Sequence, residues 1–158
     1  MHICEADRLI LRRLSLDDVP ALAEILSDPD VMKYSVRGVC DEAATLKFIE
    51  WCLACYDSHG VGPWALIDKT SSELIGFCGV GPEWVDDVEE VNLGYRLASR
   101  YWNNGLASEA VRSVLDYVFG KRLFHSVVVI IEPEHVASLK VAEKAGFSRF
   151  DAVEFHGR

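Results

Sequence analysis

Hydrophobic and polar positions change period several times along the chain, and each change marks an element. Residues 8–14 roughly alternate polar and apolar, which predicts a half-buried strand. Ser15, with Asp18 three residues on, reads as a near capping box, and Ala21, Leu22, Ile25 and Leu26 supply the apolar stripe of the helix behind it. Asp28-Pro29-Asp30 turns the chain, and an irregular stretch leads to Asp41, the predicted cap of a second, longer helix. In that helix Ala44, Phe48, Trp51, Cys52 and Cys55 recur at helical spacing, and Gly60 stops it. Three meandering strands follow at 64–68, 74–80 and 88–97. A linker of hairpin length joins the first pair, and Gly81-Pro82 ends the second strand. In the third strand Val91, Leu93, Tyr95 and Leu97 share one face, and Glu90, Asn92, Gly94 and Arg96 the other. A glycine inside a strand predicts a bulge at Gly94 or a ligand passing close to its backbone.

The last third changes character. Asn103-Asn104-Gly105 opens a helix whose inner face carries Ala107, Ala110, Val111, Val114 and Val118, and Gly120 ends it. The continuous β-branched run at 127–131 is the pattern of a strand buried on both faces. Glu132-Pro133-Glu134 breaks that run. A short helix over 136–145, capped by Gly146, and a final strand at 147–153 complete the chain. The element order predicts an α/β sandwich with one mixed sheet, antiparallel in its N-terminal part and parallel where a helix crosses over, flanked by about four helices. No repeat or linker divides the 158 residues, so residues 1–158 are expected to form a single domain.

Composition narrows the partners. Half the residues are hydrophobic, which excludes a disordered chain. Sixteen Lys and Arg against 25 Asp and Glu leave a net charge of −9. That surface repels phosphate backbones, so nucleic acid is not an expected partner. It draws in cationic amines, and any anionic cofactor needs a local cradle. No apolar run is long enough to span a bilayer, so no membrane partner is expected either. Five cysteines, odd in number and without an export signal, read as reduced thiols in a cytoplasm. Cys52, Cys55 and His59 could line one helix face as metal ligands. A structural zinc needs four ligands and no second cysteine pair completes the set, so core packing is the plainer account and no metal is expected.

The stretch from Tyr101 to Ala110 carries the chemistry. It joins a long strand to a helix, and small residues leave the amides at the helix start uncovered. Such a turn is either an anion site or an ordinary Asn-rich cap. The segment resembles the diphosphate-binding signature of the GNAT superfamily of acyl-CoA N-acyltransferases. The likeness is to the branch of the ribosomal-protein N-acetyltransferases, which reads Tyr-Trp-Gly-Lys-Gly-Tyr-Ala-Thr-Glu-Ala. Trp102, Gly105, Ala107 and Glu109-Ala110 match, while Asn103 and Asn104 stand where that branch has Gly-Lys and lose one basic contact to phosphate. Asn92-Leu93-Gly94-Tyr95 resembles the branch's Glu-Ile-Gly-Tyr, and His135 to Phe147 resembles its Asn-x-x-Ser-x-x-Val-x-Glu-Lys-x-Gly-Phe. With the element order, the resemblance covers essentially the whole chain.

The resemblance implies an N-acetyltransferase moving the acetyl group of acetyl-CoA to a primary amine, on a protein N-terminus or a small molecule. It implies direct attack, with no acyl-enzyme. The diphosphate then sits on the amides of Asn103, Asn104, Gly105, Leu106 and Ala107 beside Trp102, and pantetheine adds to the backbone of Leu97 and Ala98. Ser138 is the hydroxyl available to protonate the leaving thiolate, or simply bonds its own helix. His135 replaces the Asn that holds pantetheine or a water, or is a solvent-facing cap. Asn92 stands where the branch has Glu, so Glu90, two residues earlier on the same face, is the candidate base, with Asp86, Asp87 and Glu89 nearby. The off-pattern Asn92 and His135 leave one alternative of another class, an acyl-CoA-binding sensor with little or no transferase activity. The protein is expected to act as a monomer or homodimer. The superfamily sheet usually closes with a seventh strand; here 147–153 reads as the sixth and His156-Gly157 as a turn, so the last strand is expected to be missing by truncation.

Overall fold

A computed structural model describes residues 2–33, 38–85, 88–102, 104–121, 127–129 and 140–141. Its strands and helices are β1 (His2–Glu5), β2 (Leu9–Arg13), α1 (Val19–Leu26), α2 (Glu42–His59), β3 (Pro63–Asp68), β4 (Leu74–Val85), β5 (Val88–Leu97), α3 (Leu106–Gly120) and β6 (Val128–Val129). Among the described residues the sheet runs β1-β2-β3-β4-β5-β6, antiparallel from β1 through β5 and parallel between β5 and β6. That is the predicted mixed sheet. The predicted elements at 136–145 and 147–153 lie outside the described residues apart from Lys140 and Val141, as does the question of a last strand.

Local signals explain most elements. Asp41 caps α2 by accepting the Ala44 N–H at 2.8 Å, and Gly60 closes the helix in the left-handed region with its N–H on the Tyr56 carbonyl. Helices cover both faces of the sheet. On one side the Phe48 ring of α2 packs 4.8 Å from Phe77 of β4. On the other, Tyr117 of α3 meets the fully buried Trp64 of β3 edge-on at 5.1 Å. The buried Tyr56 hydroxyl donates to the Pro63 carbonyl and accepts the Leu14 N–H at 3.0 Å, tying α2 to the ends of two segments. Burial pushes this phenol above its usual range.

Three expectations need correction. β1 has no periodic signal of its own and exists because β2 offers it a pairing edge. β4 does not stop at Gly81-Pro82 but continues to Val85. Its pairing with β3 ends at Gly79, so Pro82 stands where β4 has β5 on one side only, and its missing N–H leaves no gap in a ladder. Ser15 starts a short 3-10 turn, Leu16–Asp18, that leads into α1 rather than capping an α-helix directly.

That turn is held by charge. Arg12 grips Asp18 with Nη1 and Nη2, each at 2.8 Å, and the Ser15 N–H donates to the same carboxylate at 2.8 Å. Burial alone would raise this carboxyl's pKa, but Arg12 and Ser15 outweigh it and hold it below the usual range. A depressed folded value means that the stabilisation is complete above the unfolded value, about pH 4, and is lost as pH falls through the folded one. Asp18→Asn is therefore expected to lower stability by about 2 kcal/mol at pH 7, with the two proteins converging in acid. Urea unfolding midpoints at pH 7 and pH 3 measure this, and an equal gap at both would refute it.

Candidate active site

β5 is the spine of the site. Phe77 pairs with Arg96 and Gly81 with Asn92 across the β4–β5 ladder, so Glu90, Asn92, Gly94 and Arg96 all face α2. At the start of the strand is a cavity of about 80 Å³ lined by Glu89, Glu90, His59, Val61, Pro82 and Val91. Next along the strand, the Asn92 Oδ1 is buried with no hydrogen-bond partner among the described residues. Such an orphaned acceptor is costly unless a donor arrives to meet it.

Gly94 follows, and here the two sequence alternatives separate. The ladder keeps its register through Gly94, which pairs with Gly79, so there is no bulge. A side-chain carbon added at Gly94 would meet nothing within 4 Å, so the backbone is open to close approach. β6 pairs in parallel with β5 at Asn92 and Leu93, just before this opening. Arg96 donates to the Tyr95 carbonyl at 2.6 Å, and burial pulls its guanidinium below the usual value.

Beyond Arg96 the strand gives way to a turn. The side chains of Leu97 and Ala98 are buried, and the Leu97 carbonyl and both backbone groups of Ala98 already have partners. The Leu97 carbonyl accepts the Trp102 indole N–H at 3.0 Å, Ala98 N–H donates to the Ile75 carbonyl at 2.8 Å, and the Ala98 carbonyl accepts the Tyr101 N–H at 2.9 Å. The chain folds back at once through a 3-10 turn, Ser99–Tyr101, which brings these groups to Leu97 and Ala98. The resemblance puts Trp102 beside the diphosphate; in the structure its indole clamps the turn onto Leu97.

Gly105 sits at the start of α3 with φ +82°, a left-handed conformation that other residues adopt only under strain. Glu109 N–H donates to the Gly105 carbonyl, the first intrahelical bond, which leaves the Ala107 and Ser108 N–H groups with no acceptor inside the helix. The Leu106 N–H is covered by the Asn104 Oδ1 at 3.3 Å, while its side chain is buried and anchors the helix start. Asn104 and Gly105 are exposed and Ala107 is half-buried. The turn therefore presents amides and a helix dipole to an anion, as an acyl-CoA diphosphate requires. Asn103, His135 and Ser138 lie outside the described residues, as do Asp86 and Asp87.

Residues 8–148 match the family model of the acetyltransferase (GNAT) domain. The chain belongs to the GNAT family. It is, by that membership, an acetyl-CoA-dependent N-acetyltransferase. The uncharacterized protein YkkB of Bacillus subtilis (strain 168) is 38% identical over 141 residues, which cover 89% of this chain and 81% of YkkB. A GNAT-family acetyltransferase structure from Bacillus anthracis aligns at a TM-score of 0.76 and 30% identity, over 92% of this chain and 82% of that one. RimL, a ribosomal α-N-protein acetyltransferase solved in complex with coenzyme A, shares the fold at a TM-score of 0.75 and 16% identity, over 92% and 83%.

Two residues of this GNAT domain entered the site only with the tertiary structure. His59, weighed in sequence as a partner of Cys52 and Cys55, instead lines the cavity with Glu90, while both cysteines are buried in the core. Arg8, a polar position of the first predicted strand, lies against the turn at Gly105. No spacing rule links either to its neighbours, which lie 31 and 97 positions away in the chain (90 − 59 and 105 − 8).

Proposed function

We propose that this GNAT domain transfers the acetyl group of acetyl-CoA to a primary amine by direct attack of the amine nitrogen on the thioester carbon. The observation that carries the reading is continuity. One strand runs from a cavity lined by Glu90, past the orphaned Asn92 Oδ1 and the open Gly94 backbone, to Leu97, and a short 3-10 turn then leads to Gly105 at the start of α3. The donor's phosphates fit the Ala107 and Ser108 N–H groups, its pantetheine runs beside β5, and its thioester comes to rest near Asn92 and Gly94. Glu90 takes the proton of the attacking nitrogen, directly or through one water. As the new C–N bond forms the C–S bond breaks, and the thiolate leaves with a proton for which Ser138 is the proposed source. His135 is the proposed pantetheine contact. The cavity's two glutamates and the net charge of −9 favour a cationic acceptor, on a protein N-terminus or a small molecule.

An acceptor panel tests this. N-terminal peptides, polyamines, aminoglycosides and free amino acids are each given with acetyl-CoA, and free-thiol release is followed. At least one amine is expected to exceed the no-acceptor rate by about 10²-fold or more. CoA binding without release above that control by any amine would favour the sensor reading, for which the carboxylate missing at Asn92 is the supporting observation.

A further inference from the structure

We infer that Arg8 is the cation of the cofactor turn, positioning it and contacting the diphosphate of acyl-CoA. The inference rests on the proposed function above. The turn at residues 103–107 carries no lysine or arginine of its own, and a protein of net charge −9 must still hold an anionic donor. Arg8, at the entrance to β2, reaches the turn from the far end of the sequence. Its backbone N–H and its Nε donate to the two oxygens of Glu109 at 2.8 and 2.9 Å, and its Nη1 donates to the Asn104 carbonyl at 2.9 Å. Its Nη2 has no partner among the described residues and lies 3.4 Å from where a side-chain carbon on Gly105 would stand.

Three consequences follow from that geometry. Glu109, in the first turn of α3, would repel a phosphate group at the helix start, and Arg8 neutralises it by engaging both oxygens. The bond to the Asn104 carbonyl holds the turn in the shape that leaves Gly105 open. The unused Nη2 then points a charged donor at the space beside Gly105, where the diphosphate sits. Arg8 is about half exposed and Glu109 mostly buried, so the pair is anchored on the helix side and open on the ligand side. A lysine could supply the charge but not this fork.

The test uses the full chain and two binding probes, CoA and pantetheine, the latter lacking the diphosphate. Arg8→Gln is expected to lower the ratio of CoA affinity to pantetheine affinity by about tenfold, the scale of one charge-assisted hydrogen bond. Its CoA affinity is also expected to fall less steeply with added salt than the wild type's. If the Gln variant does not fold, as judged by circular dichroism, Arg8→Lys carries the test. There the ratio is expected to fall about threefold, because charge is kept and the fork is lost. An unchanged ratio in the folded variant, including equal losses for both probes, overturns the assignment and leaves Arg8 a structural tie. A wild-type chain that binds no CoA overturns the proposed function and this assignment together. Wild-type binding with unaltered variants overturns this assignment alone.

Discussion

Glu90→Gln is expected to lower kcat by about 10²-fold while leaving the affinity for CoA unchanged, the usual scale for a positioned proton acceptor. Glutamine keeps the shape and polarity of the side chain but accepts no proton at neutral pH. Glu90 lies on the α2-facing side of β5 and lines the cavity with His59, so its carboxylate has room for an amine or a bridging water. The split matters: the turn at Gly105 lies fifteen positions further along the chain (105 − 90), so a change confined to kcat separates proton transfer from donor binding. Steady-state kinetics with the best acceptor of the panel, together with CoA titration, measure both quantities. Full turnover in the variant would clear Glu90 of the role. Glu89 and His59, which line the same cavity, would then be the groups to replace.

Gly105→Val is expected to raise KM for acetyl-CoA by about 10²-fold, with a smaller effect on kcat. Two physical terms act together. At φ +82° a β-branched residue is strained by about 1–3 kcal/mol, so the turn relaxes away from its open shape. The added carbon would also lie 3.4 Å from the Arg8 Nη2, in the space proposed for the diphosphate. Losing two charge-assisted bonds at about 1.5 kcal/mol each accounts for the hundredfold change. A KM within twofold of the wild type would show that the donor does not rest on this turn.

Much of this architecture was legible without coordinates. Asp41 and Gly60 bracket α2 because caps are local devices, in which one side chain or one left-handed residue satisfies backbone groups a few positions away. The two faces of β5 followed from a period of two, and the turn at Gly105 from a motif of adjacent residues. Pattern failed where the reason for a structure lay on another element. β1 is a strand only because β2 pairs with it, and Pro82 stays in β4 only because β3 has already ended beside it.

The site shows the same division. By itself, the sequence determined the order of elements from β2 to α3, the strand that carries Glu90, the glycine turn at the start of α3 and the family to which these belong. Each of those rests on interactions between residues close in the chain, or on a motif within a single segment. Only the tertiary structure decided that His59 shares a cavity with Glu90, that Trp102 occupies the Leu97 carbonyl, and that Arg8 grips Glu109 across 101 residues. Such contacts depend on how the sheet is ordered and which helix covers which face. Spacing along one strand or helix carries no record of that, because a strand's period says which face a residue takes but not what lies against it.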